Sequence, residues 1–113
     1  MRNSGHDFDA VRATLLDEIE TLRSSSASTA EKRTPVTLDQ QSVGRLSRMD
    51  ALQVQAMAKA EEERRQKRLR LIDAALKRID EGDYGYCVSC GDDIPEKRMA
   101  FDPAAFQCVD CAQ

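Results

Sequence analysis

The sequence predicts a mostly α-helical protein, an antiparallel helical hairpin or coiled coil followed by a small four-cysteine module. Three observations support this prediction. Apolar residues recur in steps of three and four over most of the chain before the first cysteine, which is the spacing of one helix face. All four cysteines and four of the five aromatic residues lie in the last quarter of the chain. We therefore expect residues 1–81 to form the hairpin and residues 82–113 the module.

Length and charge narrow the classes of function. A chain of 113 residues has room for one domain, or for a small domain with an extended element. The first residues lack the apolar run of a secretory signal, and no window approaches the roughly 18 apolar residues of a membrane span. We therefore expect a cytoplasmic protein that does not enter a membrane. A net charge of -3 argues against a general nucleic-acid binder.

The first predicted element is an amphipathic helix over about residues 7–23. A stretch rich in small polar residues follows it, and Pro35 within that stretch cannot donate a helical hydrogen bond. We therefore expect a loop over about 24–37, with the turn of the hairpin in it or just after it. The apolar stripe of the first helix consists of Phe8, Val11, Leu15, Ile19 and Leu22.

The second predicted helix runs over about 38–81 and contains no proline. Thr37 and Gln40 have the spacing of a capping box, and Asp39 would lie in the first turn, where the helix dipole favours a carboxylate. Gly82 stands where a helix commonly ends, because glycine adopts the left-handed conformation of the residue after the C-cap without strain.

The middle of the second helix is net basic. Between Lys59 and Arg70 apolar residues are almost absent, and Glu61 precedes Arg65 by four residues, the order that stabilises a helix. The basic side chains of this segment are candidates for binding an acidic protein or a nucleic acid. The alternative is that they form an ordinary solvated face of the helix. The candidates are Arg64, Arg65, Lys67, Arg68 and Arg70.

The cysteines form two C-x-x-C pairs, Cys87 with Cys90 and Cys108 with Cys111, separated by seventeen residues. This is the spacing of a four-thiolate zinc site. With four protein ligands such a site is closed to water and substrate, so we expect one structural Zn²⁺ ion. A redox dithiol and an iron–sulfur cluster also use paired cysteines and are the alternatives.

The residues around the cysteines favour a protein partner. Tyr86 and Phe106 are interpreted as part of a miniature core around the metal, and base stacking is the alternative. From Asp80 to the C-terminal end, eight acidic residues stand against Lys97 and Arg98, and such a surface repels phosphate. We therefore expect no sequence-specific DNA binding. Since no nucleophile–base pair or phosphate loop is present, we do not expect an enzyme either.

The last third of the chain resembles the DksA/TraR family of bacterial transcription regulators. The resemblance implies a factor that binds RNA polymerase, inserts a coiled coil into the secondary channel and brings acidic residues at its tip close to the catalytic centre. It also implies that the four cysteines are zinc ligands. The matching motifs are Tyr84 to Gly91, Ile94-Pro95, Arg98-Met99, Asp102 to Ala105 and Cys108 to Cys111, and Leu38 to Gln53 is similar to the short DksA-like branch.

This sequence departs from the family at two places. The family's D-x-x-D-x-A tip motif is replaced by residues around Gly44 to Leu46, so Asp39 and Asp50 are the nearest acidic candidates for the tip. Each could equally be an ordinary helical residue, at a helix start or on a solvated face. The nucleotide-responsive members carry a basic residue before the proline of the module, where this chain has Asp102, which argues against ppGpp binding of their kind.

Two other functions remain open at this point. A zinc-stabilised helical adaptor would bind an acidic protein or nucleic acid through the basic segment 64–70. A redox switch would release zinc and lose helicity when the cysteines are oxidised.

Overall fold

The computed structural model describes residues 7–33 and 45–112, and the side chains of 7–33 and 49–112. Helices cover about three quarters of these residues, as predicted for a mostly α protein. Within the described ranges there is no strand, and Tyr86 forms an isolated bridge with Asp93. The helices are α1 (Phe8–Ser28), a 3-10 turn (Ala30–Arg33), α2 (Arg45–Glu81), α3 (Glu96–Phe101) and α4 (Val109–Ala112).

Helix α1 is longer than predicted, because the serine-rich stretch stays helical up to Ser28. Two side chains that follow the helix donate hydrogen bonds to carbonyls of its last turn. The Thr29 hydroxyl donates to the Ser25 carbonyl at 2.7 Å, and the Arg33 guanidinium donates to the Ser26 carbonyl at 3.0 Å. The bond from Arg33 supplies a partner to a carbonyl at the helix end, and the Thr29 hydroxyl adds a second bond to the Ser25 carbonyl, which also accepts the Thr29 N–H. The predicted loop is therefore corrected over 24–33, and its remainder lies outside the described residues.

Helix α2 is described from Arg45 and ends at Glu81, the predicted end. The predicted start, from residue 38, lies outside the described part. At the end, Gly82 has a φ of 82°. Its N–H donates to the Ile79 carbonyl, and the Asp83 N–H donates to the Arg78 carbonyl. This pair of bonds is a Schellman motif, in which a left-handed residue closes the helix.

The chain divides into two compact units, residues 1–20 with 68–113, and residues 21–67. The first unit combines parts of α1 and α2 with the cysteine module, so its contacts do not follow the predicted division at residue 81. In this unit Arg12 pairs with Asp80 and Glu18 with Arg68, which makes the two helices antiparallel there. The shared core consists of Leu15, Ile19, Ile72, Ala75, Ile79, Tyr84, Cys87, Ile94, Met99, Ala104 and Ala105.

The second unit contains a polar cluster between α1 and α2. Glu62 accepts hydrogen bonds from Ser26 at 2.6 Å, from Arg65 at 2.9 Å and from Gln66 at 2.8 Å, and Arg33 lies 3.4 Å away. Led by the Ser26 hydroxyl, these donors lower the pKa of Glu62 to about 2. The carboxylate is therefore held ionised by specific partners.

The start of α2 carries apolar side chains that the described part of the chain leaves largely exposed. Met49, Leu52, Val54 and Met57 are each at least half exposed. None of the described helices has the length and the apolar composition needed to cross a bilayer.

Candidate metal centre

The first cysteine pair lies in a tight turn that begins at Cys87, shortly after the end of α2 at Glu81. The Gly91 N–H donates to the Cys87 carbonyl at 2.9 Å, and the Cys87 N–H donates to the Asp92 carbonyl at 2.8 Å. Gly91 has a φ of 79°, a backbone conformation that residues with a Cβ rarely adopt. This turn directs the thiols of Cys87 and Cys90 to the same side, as two ligands of one ion require.

The second pair is held by the start of α4. The Ala112 N–H donates to the Cys108 carbonyl, and the Val88 N–H donates to the Phe106 carbonyl at 2.9 Å, which ties one turn to the other. A side-chain bond from Gln107 to Ser89 at 2.9 Å adds a second link. The two C-x-x-C motifs are therefore brought together by backbone and side-chain bonds, without a disulfide.

The geometry of the four thiols fits a zinc ion. Their sulfur atoms all lie within 4.8 Å of one another, and the Sγ atoms of Cys90 and Cys108 are 3.7 Å apart. A tetrahedral site with Zn–S bonds of about 2.3 Å requires sulfur atoms about 3.8 Å apart. The four cysteines therefore hold one structural zinc ion, and they leave no ligand position for a reacting water.

The electrostatics of the cluster also favour a bound cation. Backbone N–H groups, above all that of Cys108 and then those of Cys90 and Ser89, lower the pKa of Cys87 to about 6. The neighbouring thiols, above all that of Cys108, raise the pKa of Cys111. Four thiolates at this separation repel one another, so full ionisation needs a bound metal ion.

The module is joined to the helices by partly buried polar contacts that the sequence did not reveal. Arg68 binds Glu18 with two nitrogens and donates to Asp102 Oδ1 at 2.8 Å. Asp102 also accepts the Ala104 N–H, and the Tyr84 hydroxyl donates to the Pro103 carbonyl at 2.8 Å. The dipeptide Asp102-Pro103 is a local sequence signal for a turn. No local signal indicated that Asp102 pairs with Arg68, 34 residues away in the chain.

Within the part of the chain that the structure describes, the other predicted site residues do not come together in a single site. Asp39 lies outside the described residues, and Asp50 is exposed on α2. Arg65 pairs with Glu62, and Arg68 pairs with Glu18 and Asp102. The exposed members of the basic segment are Arg64, Lys67 and Arg70.

Comparisons with known proteins point to one family. Residues 82–113 match the model of the prokaryotic DksA/TraR C4-type zinc finger. The RNA polymerase-binding transcription factor DksA of Haemophilus influenzae is 41% identical over 49 residues, 43% of this chain and 34% of that protein. An uncharacterized protein of Aquifex aeolicus is 47% identical over 45 residues, 40% of this chain and 31% of that protein. The matched segments thus span about a third of the relatives' length.

The fold is also similar to a solved structure. Transcription factor DksA2 from Pseudomonas aeruginosa aligns with a TM-score of 0.71 and 24% identity, over 93% of this chain and 79% of that chain. This likeness covers the helices as well as the module and establishes the fold.

Proposed function

We propose that this chain, whose C-terminal module is a zinc finger of the DksA/TraR family and whose fold is DksA-like, binds RNA polymerase and regulates transcription. The observation that carries the proposal is the zinc module, because its motifs match proteins named as RNA polymerase-binding transcription factors. We place the protein in the cytoplasm, where RNA polymerase is found, and assign it no catalytic activity.

In the proposed mechanism, the part of α2 around Asp50 enters the secondary channel of the polymerase. Of the two acidic candidates for the tip, Asp50 lies within the described part of the chain, and we assign this role to it. It lines a shallow groove together with Met49, Leu52, Gln53 and Ala56, so a carboxylate lies among exposed apolar side chains. Such a combination suits contact with a protein surface, since apolar area supplies affinity and the charge supplies orientation.

We also propose that the protein acts without ppGpp bound at its zinc module. Asp102 occupies the position that is basic in the nucleotide-responsive relatives, and its carboxylate is already engaged by Arg68 and by the Ala104 N–H. A negative, hydrogen-bonded side chain at this position repels a phosphate group.

The proposal is tested by the lifetime of competitor-resistant promoter complexes formed by purified polymerase. The zinc-loaded protein is expected to change this lifetime. Asp50→Asn should leave polymerase binding within about threefold but abolish the effect, because the charge acts near the reacting centre while the apolar contacts remain. Asp73→Asn, a change at an exposed aspartate elsewhere on α2, is the matched control and should behave as wild type. An unchanged lifetime with wild-type protein would contradict the proposal.

A second candidate is the helical adaptor, which the exposed side chains of Arg64, Lys67 and Arg70 favour. They stand three residues apart along one side of α2. Adaptor binding to an acidic partner would weaken steeply with salt and disappear when these three charges are neutralised together. Binding that survives both changes excludes the adaptor.

A further inference from the structure

Arg98 of α3 binds the peptide group that leads into the second cysteine pair. Its Nε–H donates to the Gln107 carbonyl at 2.8 Å, and this bond is partly buried. Gln107 directly precedes the zinc ligand Cys108. The carbonyl that Arg98 binds and the N–H of Cys108 therefore belong to one planar peptide group. An arginine that is not itself a ligand thus holds one peptide plane of the metal site.

The opposite side of this peptide group faces another zinc ligand. In a trans peptide the C=O and the N–H point in opposite directions. The carbonyl of Gln107 is directed toward Arg98, and the N–H of Cys108 donates to the sulfur of Cys87. Four thiolates around one ion repel one another, so a donor directed at one of them stabilises the ligand set.

The backbone that carries Arg98 is anchored next to the first cysteine turn. The Ile94 N–H donates to the Gly85 carbonyl at 2.8 Å, two residues before Cys87. Met99, the neighbour of Arg98 in α3, is only 4% exposed. Because these contacts fix the start of its side chain, Arg98 connects the first cysteine turn to the second.

We propose that Arg98 is a positioning residue of the zinc site, which orients the Gln107–Cys108 peptide so that its N–H binds the Cys87 sulfur. Groups that orient metal ligands by hydrogen bonds commonly contribute about ten- to hundredfold to metal affinity. This role concerns the metal alone and does not depend on binding to RNA polymerase.

Zinc binding by the full chain tests this role, measured in competition with a chelator. Arg98→Met removes the guanidinium but keeps an unbranched side chain, and it should weaken zinc affinity by about ten- to hundredfold. Arg98→Lys keeps a charged donor and should recover part of this loss. The matched control is Lys97→Met, at an exposed basic residue of the same helix, which should bind zinc within about twofold of wild type. Equal zinc affinity of Arg98→Met and wild type would overturn the proposal.

Two spectroscopic signals separate positioning from a general effect on stability. When Co²⁺ replaces zinc, the thiolate-to-cobalt absorption band of Arg98→Met should shift from its wild-type position. In the zinc-loaded chain, the amide proton of Cys108 should move upfield and exchange faster with water, because its hydrogen bond to sulfur is weakened. A variant with a lower melting temperature but unchanged cobalt and amide signals would show a merely structural role and contradict the proposal.

A measurement on the wild-type chain applies even if Arg98→Met does not fold. The Nε–H proton of Arg98 should give its own NMR signal in the zinc-loaded protein and exchange slowly with water, since it is bound to a carbonyl. Arg70 is exposed, and its Nε–H should exchange much faster. Equally fast exchange of the two protons would overturn the proposal.

Discussion

Glu62 is the residue whose environment departs most clearly from what its sequence position suggested. The basic segment around it reads as a solvated helix face, yet its side chain is only 16% exposed and accepts bonds from Ser26, Arg65 and Gln66. Ser26 lies 36 residues away along the chain, so no local pattern could have revealed the contact. The same holds for the bonds that Arg68 makes to Glu18 and Asp102.

This arrangement predicts a pH dependence for Glu62. Its pKa in the folded protein is about 2, below the value of 4.5 for a free glutamate, so ionised Glu62 favours folding. The contribution is present above about pH 4.5 and is lost as the pH falls toward 2. Carboxyl-carbon NMR should show a titration midpoint near 2.

Substitution checks the same claim at neutral pH. Glu62→Gln should lower the melting temperature at pH 7, and Glu63→Gln, at an exposed position, should change it little. A midpoint for Glu62 close to 4.5, or equal melting temperatures for the two variants, would show that the hydrogen-bond cluster does not form in solution.

The C-terminal end of helix α2 depends on the left-handed backbone conformation of Gly82. Its φ is 82°, and a Cβ added there meets no atom within 4 Å. Gly82→Ala therefore tests the conformational cost alone, without a steric clash. We expect a loss of about 1–2 kcal/mol in the free energy of unfolding, measured by urea denaturation followed by circular dichroism. Glu81→Ala, one residue earlier in the helix, should change it by less than about 0.5 kcal/mol, and equal effects of the two would refute the Schellman assignment.

The helices show what local patterns can and cannot predict. The end of α2 was predicted correctly, because Gly82 marks it within the sequence itself. The end of α1 was not, since Thr29 and Arg33 supply hydrogen bonds that keep a serine-rich stretch helical. The spacing of the cysteines predicted the zinc ion, because the turn within each C-x-x-C motif is local. The core that joins the module to α1 and α2 depends on tertiary contacts and was not predicted.

At the scale of the whole molecule, the zinc module shares its core with both long helices. Tyr84 is buried, donates to Pro103 and packs edge-on against Phe8 of α1, with ring centroids 6.1 Å apart. Burial raises the pKa of Tyr84 to about 12, which keeps its hydroxyl protonated at neutral pH. Loss of the metal should therefore disturb α1 as well as the module.

Zinc removal tests this coupling. Chelation should release one zinc ion per chain and should lower the near-ultraviolet dichroism of Tyr84 and Tyr86 together with part of the helical signal. Because the thiols must lose protons to bind the metal, zinc should also dissociate as the pH falls below neutrality. Added zinc should restore both signals. A chain that keeps its full helical signal after the metal is removed would contradict a shared core.

Direct binding is the measurement that best tests the proposed interaction of this protein with RNA polymerase. Zinc-loaded protein and bacterial core RNA polymerase should form a one-to-one complex with a micromolar or tighter Kd. A second factor that occupies the secondary channel should displace the protein from this complex. The absence of a complex at micromolar concentrations, or a complex that the second factor does not displace, would contradict the proposed function.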